Sequence, residues 1–278
     1  MWAISHSAPQ NPPLDRVGDP DVSLIRIKSV NKVTGANRGI GLGLVAALAS
    51  RPNTIVFAGA RDPAAQSLKD LSAKHLNVHG VKLTLGDKAD NEAAVAKIQR
   101  IAGQLDVIIA NAGISNYYGP LAETPVSEFK DHWEINTLGN VILFQAAHRL
   151  LLASPSKAPR FAMISSCAAS IGSYFPIGVA AYGSSKAALN FLVKVIDHEH
   201  PALISLAIHP GWVQTEMGNQ GAVANGMAEA PETVEDSVNG ILARVDQAKT
   251  KELSGRFWNF KVSHEGKPWN IATDEIAW

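Results

Sequence analysis

The chain has 278 residues, of which 46% are hydrophobic and 18% are charged, and its 25 basic and 25 acidic side chains give a formal net charge of zero. An average soluble domain carries about 25% charged residues, so this composition predicts a large buried core. A neutral chain gives no reason to expect a nucleic-acid partner, and no apolar run reaches the ~18 residues of a membrane-spanning helix. The single cysteine, Cys167, excludes an intrachain disulfide and a cysteine-based metal cage. We therefore expect no metal site, no membrane partner and a cytoplasmic location.

The N-terminal residues 1–23 contain four prolines and no apolar signal-peptide core, so we predict a disordered leader, with a packed arm as the alternative. Residues 24–278 then form one domain, in which short apolar runs alternate with helical patterns. The predicted strands are 25–33, 54–59, 78–85, 105–110, 161–165, 204–208 and 255–260. The predicted helices are 40–50, 63–75, 89–102, 126–153, 182–198 and 231–247. This alternation predicts an α/β fold: a single Rossmann-type, doubly wound parallel sheet of about seven strands with helices on both faces.

The first predicted strand is unusually polar, because Asn31 and Lys32 stand where a strand covered on both faces should be apolar. A buried ammonium without a partner is costly, so it must reach water or a carboxylate. We therefore expect Lys32 to lie near the strand end and to extend its amine outward. A strand weakened in this way would leave the loop that follows it more mobile.

That loop has the spacing T-G-x-x-x-G-x-G, with Gly35, Gly39 and Gly41 between the first strand and a helical pattern. Glycines let backbone N–H groups and the positive end of a helix dipole approach a phosphate closely. An ordinary tight turn is the alternative, but the position after the first strand favours a dinucleotide site. The predicted cofactor contacts of this loop are Gly35, Asn37, Arg38, Gly39, Ile40 and Gly41.

Two arginines indicate which dinucleotide is bound. Arg38 lies within the loop, and Arg61 follows the second predicted strand, where NAD-binding proteins carry an acidic residue for the ribose. Two guanidinium groups suit an additional phosphate, so we predict NADP(H) as the cofactor. The alternative is that either arginine covers a helix face or pairs with Asp62.

Tyr182 and Lys186 stand four residues apart at the start of a predicted helix, which places both side chains on one face. A nearby ammonium stabilises tyrosinate and should lower the pKa of the phenol from about 10. A tyrosine with such a pKa can donate a proton to a forming alkoxide or remove one from an alcohol. The same spacing also occurs on ordinary helix surfaces.

The glycine loop, the segments NAG (111–113) and ISS (164–166), and the Tyr182–Lys186 pair together resemble the short-chain dehydrogenase/reductase family. The resemblance covers about residues 30–260. The segments GANRGIGLGLV, HPGWVQTEMG and SGRFWNF are most similar to its fungal ketoreductase, sniffer and carbonyl-reductase-like branch.

The resemblance implies a role for each site residue. Tyr182 is the general acid and base, and Lys186 holds the nicotinamide ribose. Ser166 polarises the substrate carbonyl, with Ser165 as the alternative, and Asn136 orients a water beside Lys186. The remaining implied cofactor contacts are Asn111, Ala112, Gly113, Val213 and Thr215, the last two at the nicotinamide amide.

Four features depart from the family pattern or extend it. Thr84 stands where an aspartate normally contacts adenine, with Asp87 further on, and the interval from Ser166 to Tyr182 is longer than usual. The Gly- and Ala-rich segment 217–230 is expected to be a mobile loop near the substrate. Trp212 is expected to cover the active site, while a C-terminal flap or subunit contact involves Trp258, Trp269 and Trp278, with core packing favoured for Trp258.

The sequence thus predicts an NADPH-dependent reductase that converts a ketone or aldehyde to an alcohol. The substrate is expected to be of moderate size and apolar character. An alcohol dehydrogenase working oxidatively and a non-catalytic NADP(H)-binding sensor or scaffold are the alternatives. Related proteins often pair through two long helices, here 126–153 and 182–198, so we also expect a homo-oligomer, either a dimer or a tetramer.

Overall fold

Seven parallel strands form one sheet in this computed structural model, which describes residues 29–261 and 274–278. The strands are β1 (Ser29–Thr34), β2 (Thr54–Ala60), β3 (Val78–Lys82), β4 (Val107–Ala110), β5 (Arg160–Ile164), β6 (Ile204–His209) and β7 (Arg256–Asn259). Their order is β3-β2-β1-β4-β5-β6-β7, which confirms the predicted Rossmann-type sheet. The predicted leader, the predicted strand residues 25–28 and Trp269 lie outside the described residues.

Helices connect the strands. They are α1 (Gly39–Ala49), α2 (Gln66–Lys74), α3 (Lys88–Ala102), α4 (Val126–His132), α5 (Gly139–Leu152), α6 (Ala180–Glu199), α7 (Glu216–Ala224) and α8 (Val234–Gln247). The predicted helix 126–153 is divided, because a π-helical segment at Trp133–Leu138 separates α4 from α5. In the described part of the chain, no helix combines the length and the apolar character needed to cross a membrane.

Helix α7 corrects the prediction of a loop at 217–230 for residues 217–224, whereas residues 225–230 are not helical. Its first turn is closed by Thr215, whose hydroxyl accepts a hydrogen bond from the amide of Gly218 at 3.0 Å. A threonine at this position satisfies an amide that would otherwise lack a partner. The cap therefore compensates for the weak helix propensity of the glycines that follow.

Apolar side chains cover both faces of the sheet. On one face, α1 and α8 pack onto it through residues such as Leu44 and Ile241. On the other face, α3, α5 and α6 do so through residues such as Ile98, Leu143 and Leu189. Successive residues of a strand point to opposite faces, so strands covered on both sides are apolar throughout.

Lys32 breaks this apolar pattern, and the prediction that its amine reaches outward is wrong. The side chain is fully buried in the middle of β1, on the face that carries Val30, between its strand neighbours Phe57 and Ile108. Within the described residues, its Nζ atom has no hydrogen-bond partner. Burial lowers the pKa of Lys32 from 10.5 to about 7. β1 pairs with strands on both sides, so the chain cannot turn the amine toward water without breaking the sheet.

The last described residues return to the edge of the sheet. Ile276 donates its amide to the carbonyl of Phe257 at 2.7 Å, and the Trp278 ring lies 5.8 Å from the Phe257 ring. The carbonyl of Trp278 accepts the amides of Ile171 and Gly172 at 3.1 and 2.7 Å. Residues 274–278 therefore fix part of the segment that precedes α6. Trp258, by contrast, is fully buried in the core.

Candidate active site

The glycine loop lies where β1 and β4 meet at the centre of the sheet. From these two neighbouring strands the chain continues to opposite sides, to β2 and to β5, which leaves a crevice at their carboxyl ends. Gly35 and Gly39 have positive φ angles of 65° and 51°, which glycine adopts without strain. A Cβ atom at Gly41 would lie 2.1 Å from the carbonyl oxygen of Gly35. The first turn of α1 carries no acidic side chain that would oppose an anion.

Asn111 supports this loop from β4. Its amide nitrogen donates to the carbonyl of Thr34 at 3.0 Å, and the amide of Ala112 donates to the Thr34 hydroxyl, also at 3.0 Å. Asn111 also lies beneath Gly41, where an added Cβ would come within 2.7 Å of its amide nitrogen. The side chain of Asn111 thus holds the loop in place. Its predicted contact with the cofactor stays a prediction.

The other predicted loop residues have distinct positions. Ile40 packs against the core, and the carbonyl of Asn37 accepts the Ser67 hydroxyl at 2.7 Å. Thr215 lies against Gly39, where an added Cβ would be 3.2 Å from its methyl group. Val213 is buried two residues earlier. The structure therefore brings the Val213–Thr215 segment to the glycine loop.

Arg38 and Arg61 are both exposed, in the loops that follow β1 and β2. Arg38 forms an ion pair with Glu216 in the first turn of α7, and both side chains are more than half exposed. Arg61 follows β2 directly. The alternative of a pair with Asp62 is not seen among the described residues: no ion pair joins either arginine to the Asp62 carboxylate, which accepts the amide of Ala64 at 2.8 Å.

Thr84 lies beyond the end of β3, which is shorter than predicted. Thr84 lies close to the Asp90 carboxylate and, with Lys82, lowers the Asp90 pKa. Asp87 instead caps α3 by accepting the amide of Asp90 at 2.9 Å. Asp87 therefore already has a partner within the chain, and the adenine contact of Thr84 stays a prediction.

Tyr182 and Lys186 share one face of α6, as their spacing predicts. The amine of Lys186 lies 5.8 Å from the centre of the Tyr182 ring and donates to the carbonyl of Ile164 at 2.7 Å. Burial raises the pKa of Tyr182 to about 12 and lowers the pKa of Lys186 to about 8. The prediction that Lys186 lowers the Tyr182 pKa is therefore wrong for the protein side chains by themselves. Desolvation of the phenol is the largest effect on this pKa, and it raises the value.

Ser166, and not Ser165, is the serine next to Tyr182. The Ser166 hydroxyl lies close enough to the Tyr182 phenol to offset part of the rise in its pKa. Ser165 is buried and donates to Oδ1 of Asn190 at 2.6 Å. Ser166 also accepts the amide of Ala168 at 3.2 Å, which fixes the turn after β5.

Asn136 lies in the π-helical segment and uses its side chain to hold the loop after β4. Its Oδ1 accepts the amide of Ile114 at 2.8 Å, while its Nδ2 donates to the carbonyl of Ile114 and to the Ser185 hydroxyl, both at 3.0 Å. π-helical segments often occur at functional sites, where they redirect a side chain. The loop held by Asn136 contains Gly113.

Gly113 shows how closely these groups approach each other. A Cβ atom there would lie 2.9 Å from Oδ1 of Asn136 and 3.4 Å from Nζ of Lys186. Asn136, Gly113 and Lys186 therefore meet at one point. The water that the family resemblance implies beside Asn136 stays a prediction.

Two histidines complete the surroundings of Tyr182. His132 is fully buried, and its ring packs edge-on against the Tyr182 ring, with 6.3 Å between the ring centres. Its Nε2 accepts the amide of Asn116 at 3.3 Å. His209 accepts the amide of Cys167 at 3.2 Å, and burial lowers its pKa to about 4. No motif in the sequence indicates a role for His132. His209 stands in the HPGWVQT segment, and the resemblance of this segment to the family is the feature of the sequence that indicates a place near the site.

A glycine loop at the centre of a Rossmann-type sheet, with a serine, a tyrosine and a lysine beside it, defines a nucleotide-dependent oxidoreductase. Comparison with known proteins identifies the family. Residues 30–224 match the short chain dehydrogenase family, and the chain belongs to that family. This confirms the family and the class of enzyme that the sequence predicts.

Relatives and solved structures agree with the predicted branch. A norsolorinic acid ketoreductase of Dothistroma septosporum is 42% identical over 236 residues, which cover 81% of this chain and 87% of that protein. A second one, from Emericella nidulans, is 38% identical and covers 92% of this chain and 100% of that protein. The structure of NADPH-bound carbonyl reductase from chicken fatty liver has a TM-score of 0.75 and 31% identity, covering 91% of this chain and 100% of that one. The carbonyl reductase Sniffer of D. melanogaster also has a TM-score of 0.75, with 28% identity and the same coverage.

Proposed function

We propose that the protein is an NADPH-dependent ketoreductase, which reduces a ketone or aldehyde to an alcohol with Tyr182 as the proton donor. The observation that carries this proposal is the convergence of Ser166, Tyr182 and Lys186 beside the glycine loop. When bound, the nicotinamide supplies the hydride. The side chains supply the proton and hold the carbonyl oxygen.

The residues of the crevice fit a dinucleotide with an additional phosphate. Gly35, Gly39 and Gly41 leave backbone where side chains would obstruct a pyrophosphate. Arg38 and Arg61 offer two guanidinium groups for the phosphate that distinguishes NADPH from NADH. The chicken carbonyl reductase, which was solved with NADPH, supports the same choice.

The protonation state of Tyr182 in the free protein fits the role of a proton donor. With its pKa raised to about 12, the phenol holds its proton at neutral pH and can act as an acid. Ser166 would hydrogen-bond the carbonyl oxygen, and the phenol proton would pass to that oxygen as an alkoxide forms. Lys186 would then stabilise the resulting tyrosinate. Oxidation of an alcohol would instead require Tyr182 to be deprotonated first.

The names of the relatives suggest which ketones to test. Two of them are norsolorinic acid ketoreductases, so norsolorinic acid belongs in the assay. The segments around the site carry exposed apolar side chains, including Ile171, Phe175 and Met227. An apolar carbonyl compound of moderate size therefore remains the proposed substrate class.

A carbonyl screen that follows the absorbance of NADPH tests the proposal. We expect turnover of at least one apolar ketone, and we expect Tyr182→Phe to lower kcat by about 10²- to 10⁴-fold. Tyr117→Phe is the matched control, because the Tyr117 hydroxyl donates to the carbonyl of Glu123 at 3.1 Å, on the molecular surface. Undiminished reductase activity in Tyr182→Phe would show that another group is the acid.

The cofactor assignment has its own test. The double variant Arg38→Ala, Arg61→Ala should weaken NADPH binding far more than NADH binding, since a charge-assisted hydrogen bond contributes ~1.5–3 kcal/mol. Titration of each cofactor by calorimetry measures both affinities. Equal weakening of the two cofactors would contradict the assignment.

We also propose that the protein forms a homo-oligomer through α5 and α6. A groove of about 300 Å³ lies between these helices, and Phe191 on α6 is 69% exposed. Sedimentation analysis of the protein and of Phe191→Glu tests this surface. A monomeric wild-type protein would refute the proposal. The cytoplasmic location stays a prediction.

A further inference from the structure

Tyr118 is a second phenol at the catalytic site. It lies in the loop between β4 and α4, and it is close enough to Tyr182 to contribute to the rise in the Tyr182 pKa. Its side chain is only partly buried. No motif in the sequence indicates a role for Tyr118.

The Tyr118 side chain spans the space between the catalytic loop and α7. Its hydroxyl lies 3.4 Å from the carbonyl oxygens of Ser115 and Met217. Its ring packs on Gly221, where an added Cβ would come within 3.1 Å of the ring. The absence of a side chain at Gly221 is what allows the ring to lie there.

Both hydrogen bonds of the Tyr118 hydroxyl are long. A phenol O–H usually approaches an oxygen to about 2.7–2.8 Å, and it can donate to only one acceptor at a time. Neither carbonyl therefore holds this hydroxyl firmly. It can turn to an acceptor on a ligand that lies between Tyr182 and α7.

We infer that Tyr118 determines specificity by donating a hydrogen bond to a second oxygen of the substrate. The preferred substrates are then ketones that carry another carbonyl or hydroxyl oxygen close to the reacting carbonyl. Ser166 and Tyr182 serve the oxygen that is reduced, and Tyr118 binds the other one. This inference rests on the proposed reductase function and specifies its substrate class. A polar group that is placed to bind a substrate oxygen discriminates against the analogue that lacks it.

Two ketones that differ in one oxygen provide the test. 1-Phenyl-1,2-propanedione has a second carbonyl next to the first, and propiophenone lacks it. Because the two compounds differ in intrinsic reactivity, the measured quantity is how much Tyr118→Phe changes kcat/KM for each of them. We expect a loss of about 3- to 10-fold for the dione, expressed mainly in KM, and less than about 2-fold for propiophenone.

The matched control is Tyr117→Phe, which removes the neighbouring phenol hydroxyl and should leave the ratio between the two ketones unchanged. A second variant, Gly221→Ala, displaces the Tyr118 ring and should reduce the preference for the dione in the same direction. Equal losses for both ketones in Tyr118→Phe would show a merely structural role, and no loss would show no role; either result overturns the inference. If the wild-type protein reduced neither these ketones nor any other carbonyl compound, the proposed function would fail first.

Discussion

The amine of Lys32 should destabilise the protein, and its removal should stabilise it. In Lys32→Met, an apolar chain of similar length replaces the buried amine between Phe57 and Ile108. Burial lowers the pKa of Lys32 from 10.5 to about 7, and each pKa unit corresponds to ~1.36 kcal/mol. The full shift therefore corresponds to about 5 kcal/mol. At pH 7, where the folded amine is about half neutral, about 4 kcal/mol of this penalty is present.

The penalty should depend on pH in one direction. Between pH 7 and 10.5 the unfolded lysine holds its proton, whereas the folded one has largely lost it. The free energy of unfolding of the wild-type protein therefore rises with pH across this interval. Below the folded pKa both states are protonated, and the penalty is constant at its maximum. The advantage of Lys32→Met should thus be largest in mild acid and should decline as the pH approaches 10.5.

Urea unfolding followed by tryptophan fluorescence measures this difference at about pH 6 and about pH 9.5. Lys69→Met, on the exposed face of α2, is the matched control and should change stability little at either pH. If Lys32→Met raised the free energy of unfolding equally at both pH values, the gain could not come from removal of the buried amine. A net loss of stability would show that the buried lysine has a partner that compensates its burial.

Three further variants test contacts around the site. Glu216→Gln releases Arg38 and should tighten NADPH binding by about 2- to 5-fold without affecting NADH binding. The expected gain is small because an exposed ion pair contributes only ~0.2–1 kcal/mol. Calorimetric titration measures the affinities for both cofactors. Burial lowers the His209 pKa from 6.5 to about 4, so the free energy of unfolding of the wild-type protein falls, by at most about 3 kcal/mol, as the pH drops through this interval. Urea unfolding should show a smaller fall in His209→Asn. Gly41→Ala places a methyl group 2.1 Å from the Gly35 carbonyl, and should abolish NADPH binding in the same titration and lower stability by about 1–3 kcal/mol.

Local patterns predicted the fold and much of the candidate site. Alternating apolar runs and helices were enough to predict seven parallel strands, because strands covered on both faces are mostly apolar, β1 with Lys32 being an exception. The positive φ angles of Gly35 and Gly39 agree with the turn that their spacing predicts. Tyr182 and Lys186 meet because a helix brings positions four apart onto one face.

Contacts between distant parts of the chain could not be predicted in this way. Arg38 and Glu216 are 178 positions apart in the sequence, and no local pattern pairs them. The complete burial of Lys32 depends on β1 lying between β2 and β4, whereas the local sequence suggested a strand end. The glycines and alanines of 217–230 predict a loop, but Thr215 caps the first turn and allows residues Glu216–Ala224 to form α7.

Helix α7 connects the two halves of the candidate site. Its first residue, Glu216, pairs with Arg38 of the glycine loop, while the carbonyl of the next residue, Met217, and Gly221, about one turn further on, contact Tyr118. A phosphate that bound Arg38 would compete with Glu216 for the same guanidinium group. Any displacement of α7 that followed would move the surface on which the Tyr118 ring rests. The proposed cofactor contact of Arg38 and the proposed substrate contact of Tyr118 therefore both adjoin one short helix, and a displacement of that helix at one contact would reach the other.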